Sequence, residues 1–150
     1  MNHGRRRTLG AGAGAAVALL LGGTGRALAT MEDVEAAIAE FGGGVEPTEG
    51  ALRLTTPEIA ENGNSVPVSF EVDSPMSEDD HVESVMILAT DNPSVDVATF
   101  HFTPMSGRAT ASTRMRLART QDVVAVARLS DGRLVRASNN VEVTIGGCGG

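Results

Sequence analysis

Val66-Pro67-Val68-Ser69-Phe70-Glu71-Val72 is the stretch that decides the fold. Large apolar residues take every second position, and Pro, Ser and Glu fill the gaps. That is the period of a strand with one buried and one wet face. Pro67 has no N–H for a ladder, which places the stretch at an edge or at a strand beginning. Outward from it, Ser84 to Ala89 and Val97 to Phe102 read as further short strands, separated by the turn-rich Thr90-Asp91-Asn92-Pro93-Ser94. Ala111, Thr113, Met115 and Leu117 alternate with Ser112, Arg114 and Arg116. Val123 to Leu129 and Leu134 to Ala137 flank Ser130-Asp131-Gly132-Arg133, a compact hairpin signal. Val141, Val143 and Ile145 alternate with Glu142 and Thr144. The β signal holds from residue 51 onward, and about seven short strands predict an all-β, immunoglobulin-like β-sandwich over residues 45–145.

A helix precedes the strands. Thr30 with Asp33 makes a variant of the capping box, and Met31, Val34, Ile38 and Phe41 fall at helical spacing. Gly42-Gly43-Gly44 stops the helix and, with Val45-Glu46-Pro47, makes a flexible joint. Residues 30–44 are therefore an N-terminal helix and glycine joint. Its apolar face packs either on its own sheet or on a partner subunit.

Residues 3 to 29 carry no acid and open with His3-Gly4-Arg5-Arg6-Arg7-Thr8-Leu9, followed by a small apolar stretch from Ala11 to Gly23. Ala27-Leu28-Ala29 fits signal-peptidase cleavage, leaving Thr30 as the mature N-terminus. The apolar core is only mildly hydrophobic and follows paired arginines, of which Arg6-Arg7 fits best and Arg5-Arg6 also offers a twin. This predicts a twin-arginine signal over residues 1–29 and a mature protein in the periplasm. The stretch falls short of the ~20 residues that span a bilayer, so no membrane is expected for the mature form. Cys148 lies far from any lipoprotein-type N-terminal position.

The chain has 12 arginines, no lysine and 19 acids, for a net charge of −7. All the acids follow residue 29, while Arg5, Arg6, Arg7 and Arg26 precede it, so eight arginines against 19 acids leave the mature domain at −11. That charge excludes a nucleic-acid footprint and adsorption to anionic lipid. It favours steering toward basic partners.

The chain ends Gly146-Gly147-Cys148-Gly149-Gly150, and Cys148 is its one cysteine. An intramolecular disulfide is impossible, which leaves an intermolecular partner or a reactive thiol. Four flanking glycines offer nothing to bury the sulfur with. Residues 146–150 read as an arm anchored to the strand that ends at Ile145. Extended, it would reach roughly 17 Å, enough to carry the thiol into a narrow cleft of another protein. The carboxylate of Gly150 disfavours a second anion beside it, so activation of the thiol falls to the receiving enzyme. This is the logic of a covalent carrier rather than a catalyst.

Other chemistry finds little support. A Cys-His-Asp site needs a rigidly held nucleophile, which glycines do not supply. Only His81 and His101 follow the leader, and no paired-ligand spacing is present, so neither metal nor cofactor is expected. His101 lies on the opposite strand face to Phe100 and Phe102. Glu78-Asp79-Asp80-His81, after Ser74-Pro75-Met76-Ser77, reads as a solvated turn, with a docking loop or weak metal site as the alternatives. Gly42-Gly43-Gly44 closes a helix, whereas a phosphate loop opens one.

Taken over the whole chain, the sequence resembles the SoxY family of bacterial thiosulfate oxidation. The resemblance rests on the twin-arginine leader and on Pro57-Glu58-Ile59-Ala60-Glu61-Asn62-Gly63-Asn64-Ser65-Val66-Pro67-Val68. It continues through Asp73-Ser74-Pro75-Met76, through Ala111 to Leu117, through Gln121 to Ala127, and through Val-Glu-Val-Thr-Ile followed by Gly-Gly-Cys-Gly-Gly. The resemblance implies an immunoglobulin-like domain in a heterodimer with SoxZ. It implies that Cys148 is the attachment site for pathway intermediates, with Gly146, Gly147, Gly149 and Gly150 as its flexible, slender mounting. A SoxAX-like haem enzyme would join thiosulfate to the thiol, a SoxB-like enzyme would hydrolyse off sulfate, and a SoxCD-like enzyme would oxidise the remaining sulfane sulfur. The carrier itself would need no cofactor. Two other readings stand beside it: a redox protein acting through an intermolecular disulfide at Cys148, and a non-covalent β-sandwich binding module.

Overall fold

The computed structural model describes residues 28–146. Thr30 opens the helix α1 (Met31–Gly42) through a capping box: its hydroxyl accepts from the Asp33 N–H at 3.3 Å, and Asp33 Oδ2 accepts from the Thr30 N–H at 2.8 Å. The Thr30 N–H and the Thr30 hydroxyl, which donates to Oδ2 at 2.9 Å, favour the ionised form, so the Asp33 carboxyl is held below its ordinary range, chiefly by the Thr30 backbone. The helix ends at Gly43, whose φ of 63° is a left-handed cap that glycine adopts without a Cβ clash. Gly42 is still helical and is there for space. A Cβ on it would overlap the Leu134 side chain.

Nine strands follow: β1 (Thr48–Glu49), β2 (Leu52–Thr55), β3 (Ile59–Ala60), β4 (Val66–Val72), β5 (Val82–Ala89), β6 (Asp96–His101), β7 (Ala109–Met115), β8 (Gln121–Leu129) and β9 (Leu134–Val143). A short 3-10 turn, Pro104–Ser106, joins β6 to β7. The large sheet runs β1-β9-β8-β5-β6, with β3 also paired to β9, and the small sheet runs β2-β4-β7. Only the β1–β9 and β3–β9 pairings are parallel; the rest are antiparallel. The two sheets face each other as a sandwich, in keeping with the predicted all-β class.

β4 behaves as its alternation requires. Val66, Val68, Phe70 and Val72 are buried, while Pro67, Ser69 and Glu71 face outward. Their inner-face partners include Val85, Ile87, Val123, Ala125 and Ala127 of the large sheet. Phe70 meets Phe100 and Phe102 edge-on, with ring centroids 5.2 and 6.1 Å away. β4 is the middle strand of its sheet, yet β2 pairs only with Ser69 to Val72. Pro67 lies beyond the end of β2, where its missing donor costs nothing.

β5 and β8 are buried on both faces, which explains their nearly unbroken apolar runs. Met86, Leu88, Val124, Val126 and Leu134 point away from the sandwich interior and receive Val34 and Ile38 of α1. The helix therefore packs on its own sheet. Arg128 extends this contact: its guanidinium lies 5.3 Å from the Phe41 ring centroid and donates to the Phe41 carbonyl at 3.2 Å. Arg136 pairs with Glu35 at 2.9 Å.

Three details differ from expectation. Leu134–Ala137 and Val141–Ile145 are one ten-residue strand, β9, which stops at Val143. The polar Ser138-Asn139-Asn140 does not interrupt it, because Asn139 donates to the Leu54 carbonyl at 3.0 Å and Asn140 to Asp122 at 2.7 Å. β7 ends at Met115 rather than Leu117. β1 and β3 hold two residues each, too few for any period to show. Among the described residues no helix is long and apolar enough to cross a membrane.

Candidate functional site at the end of β9

The residues that lead to the Gly-Cys-Gly tail leave the sandwich between two supports. On one side, Glu142 N–H donates to the Glu58 carbonyl at 2.8 Å, Thr144 N–H to Ala60 at 3.1 Å, and Gly63 N–H to Ile145 at 2.8 Å. Gly63 is itself tied across the rim, because its carbonyl accepts from Leu117 N–H at 2.8 Å. On the other side, Val143 N–H donates to Thr120 Oγ1 at 2.9 Å. The backbone from Glu142 to Ile145 thus has a partner at every residue.

Gly146 lies against the β7–β8 loop so closely that a Cβ built on it would overlap the Ala118 carbonyl oxygen. A polar network backs this loop. Asn92 Oδ1 accepts from Ala118 N–H and from the Gln121 side-chain amide, both at 2.9 Å, and Asn92 Nδ2 donates to the Arg116 carbonyl at 2.8 Å. Gln121, only 4% exposed, also accepts from Asp91 N–H at 2.8 Å and donates to the Arg119 carbonyl at 3.1 Å. Arg119 pairs with Asp91 at 3.3 Å. Ala29 N–H donates to the Asn92 carbonyl at 2.8 Å, so the start of the described chain is held at this same rim.

Of the predicted site residues, Gly146 and Ala29 are described, and both lie at this rim. Arg6, Arg7, Ala27, Gly147, Cys148, Gly149 and Gly150 lie outside the described residues. Asn92 is legible in the sequence only as a turn residue, and Gln121 only within the stretch from Gln121 to Ala127. Neither type signals that its amide ties two loops together. Gly63 sits in the quoted Glu61-Asn62-Gly63-Asn64 stretch, but nothing local marks it as a backbone bridge.

The remaining candidates lie elsewhere. His101 is exposed on β6, and the ring of His81 lies 3.1 Å from the Ser77 carbonyl. Glu78 to Asp80 are exposed, and Ser77 closes their turn by accepting from Asp80 N–H at 3.0 Å. Among the described residues no three His, Cys, Asp or Glu side chains group as metal ligands would. Glu71 pairs on the outer face of the small sheet with Arg53 and Arg108, all well exposed, which contributes little stability.

The protein-family model described as sulfur oxidation protein SoxY matches residues 38–148. No curated protein matches the sequence. Among solved structures, the sulfur carrier protein SoxY from Chlorobium limicola f thiosulfatophilum is 34% identical with a TM-score of 0.66. That match covers 77% of this chain and 100% of the other. The superoxide reductase (neelaredoxin) from Ignicoccus hospitalis superposes with a TM-score of 0.57 at 14% identity, covering 77% of this chain and 94% of that one. A putative superoxide reductase from Thermotoga maritima gives 0.53 at 18% identity, covering 65% and 87%. Likeness at such low identity shows a shared fold alone. The family match spans every strand of the sandwich and runs on to Cys148, and with the 34% identity to a whole SoxY chain it makes this protein a member of the SoxY family.

Proposed function

We propose that this protein is a sulfur carrier that holds thiosulfate-derived intermediates covalently on Cys148 and presents them to partner enzymes. The observation that carries the reading is the reach of the family match to residue 148, the one cysteine of the chain. The relative so matched is itself described as a sulfur carrier protein. The rim geometry supports it. Cys148 follows Gly146 by two residues, so its Cα lies within about 7 Å of a fixed point on the fold. Glycines on both sides leave only backbone and one thiol to enter a cleft.

The chemistry balances without a group resident in this chain. Loading joins the thiol sulfur to the outer sulfur of thiosulfate, forming an S–S bond, releasing the thiol proton and passing two electrons to a haem enzyme of the SoxAX type. Hydrolysis by a SoxB-type enzyme adds water across the sulfur–sulfonate bond, releases sulfate and leaves a persulfide on Cys148. A SoxCD-type enzyme then oxidises that sulfane sulfur where it is present. A SoxZ-like subunit completes a heterodimer. Residues 1–29, with Arg6-Arg7 and cleavage after Ala29, direct export by the twin-arginine route to the periplasm.

Intact-mass measurement of protein purified without reductant from thiosulfate-fed cells tests the reading. The expected result is a gain of S2O3 or of added sulfur, mapped to Cys148, and loss of thiosulfate oxidation in Cys148→Ser. An unmodified mass during turnover overturns it. A reducible covalent dimer with no inorganic adduct would instead favour the redox protein, and an active Cys148→Ser the binding module.

A further inference from the structure

We propose that Gly146 is a positioning residue, a fixed seat that sets where the residues leading to Cys148 leave the fold. This rests on the carrier reading. The steric observation is specific to Gly146. Its missing side chain is what lets the chain pass the Ala118 carbonyl, and a backbone oxygen cannot swing aside as a side-chain tip can. Its φ lies outside the left-handed region, so space, not conformational freedom, is the reason for glycine there.

The surroundings fit a seat. The preceding carbonyl, Ile145, accepts from Gly63 N–H at 2.8 Å, and the opposing wall, Ala118, is itself tied by its N–H to Asn92 Oδ1 at 2.9 Å. Asn92 is held in turn by Gln121, which is buried. Both sides of the gap through which Gly146 passes are thus anchored, one by the Gly63–Ile145 backbone hydrogen bond and one by the amide network. A fixed seat sets where the cysteine starts each excursion and in which direction. Over so short a tether, that start point governs the local concentration of the thiol at a docked enzyme.

Three measurements on the purified full-length mature protein test this. In the unaltered protein, amide relaxation should give Gly146 an order parameter near that of β9, about 0.85. In Gly146→Ala, hydrogen exchange at the Gly63 amide should quicken by about tenfold as the Ile145 carbonyl is displaced, whereas Gly147→Ala leaves it unchanged. Gly146→Ala should also slow enzymatic loading of Cys148 while its alkylation by iodoacetamide proceeds at the normal rate. A Gly146 order parameter below about 0.6, unchanged Gly63 exchange, or unslowed loading overturns the proposal. If Gly146→Ala does not fold, the relaxation measurement on the unaltered protein decides. The Gly63 and relaxation readouts need no sulfur chemistry, so they fail separately from the carrier reading. An adduct on Cys148 with unchanged Gly63 exchange removes the seat alone, and a missing adduct removes the carrier.

Discussion

Replacing Gln121 with alanine attacks the rim that flanks the end of β9. The side-chain amide makes three hydrogen bonds, to Asp91 N–H, Asn92 Oδ1 and the Arg119 carbonyl, at 2.8, 2.9 and 3.1 Å, and is 4% exposed. At roughly 0.5–1.5 kcal/mol net for each bond, the set of three contributes about 1.5–4.5 kcal/mol. Asp91 and Asn92 are only half-buried, so water can re-satisfy part of what is lost, and about 2–3 kcal/mol is the expected cost. The chain has neither Trp nor Tyr, so urea unfolding is best followed by far-ultraviolet circular dichroism. Gln121→Glu sharpens the test. A carboxylate oxygen then faces the Asn92 and Arg119 oxygens with no proton to donate, which raises the folded-state pKa of the new group. Its penalty is full above that raised value and is relieved as pH falls through it toward the unfolded value of about 4.3. The midpoint of Gln121→Glu should therefore gain on the unaltered protein as the solution is acidified. A loss below about 0.5 kcal/mol for Gln121→Ala, or pH curves that stay parallel for Gln121→Glu, would refute the network as described.

Ile38→Ala removes a side chain 2% exposed among Met86, Leu88, Val124, Val126 and Leu134, and should cost about 2–4 kcal/mol, read as a lower urea midpoint with an unchanged slope. A loss near zero would show the helix packing elsewhere. The Asp33 carboxyl is held below its ordinary 3.8, first by the Thr30 backbone N–H and then by the Thr30 hydroxyl. Its contribution is complete above the unfolded value and disappears as pH falls through the lower folded one. Helical dichroism should therefore fall in that acid window, and Asp33→Asn should flatten the fall; an identical acid limb in the variant would count against the capping box.

How much was readable depends on what each element asks of its own residues. β4 and α1 declare themselves because burial on one face imposes a period, and both formed where their apolar residues fall. Where the helix packs was not readable from its own face. The answer lay in Met86, Leu88, Val124 and Val126, whose apolar character reads only as part of a long run until β5 and β8 are known to be covered on both sides. Polar residues break alternation, so Ser138-Asn139-Asn140 reads as a gap in what is one strand, yet Asn139 and Asn140 are satisfied by groups distant in sequence. The candidate site divides in the same way. Cys148 stands out by being unique and surrounded by glycine, whereas Gly63, Asn92 and Gln121 act through backbone groups and amides that three separate segments bring together.

The smallest element carries the most consequence for the tail. β3 holds two residues, and its only strand partner is the far end of β9, through Ile59 with Glu142 and Ala60 with Val143. Without it, β9 would leave β8 at Val141, its last paired residue there, with one edge open for the remaining residues before Gly146. With it, Glu142 and Thr144 donate to Glu58 and Ala60, and Gly63, just beyond β3, takes up Ile145. The opposite edge is held only by Thr120 at Val143 and by the close approach of Ala118 at Gly146. A strand this short gains little from propensity or burial, since Ile59 is 59% exposed. Its place is explained by what it closes: it covers the edge of β9 over the last residues before Gly146. The quoted Pro57-to-Val68 stretch thus supplies Glu58, Ala60 and Gly63 as the backbone partners of Glu142, Thr144 and Ile145.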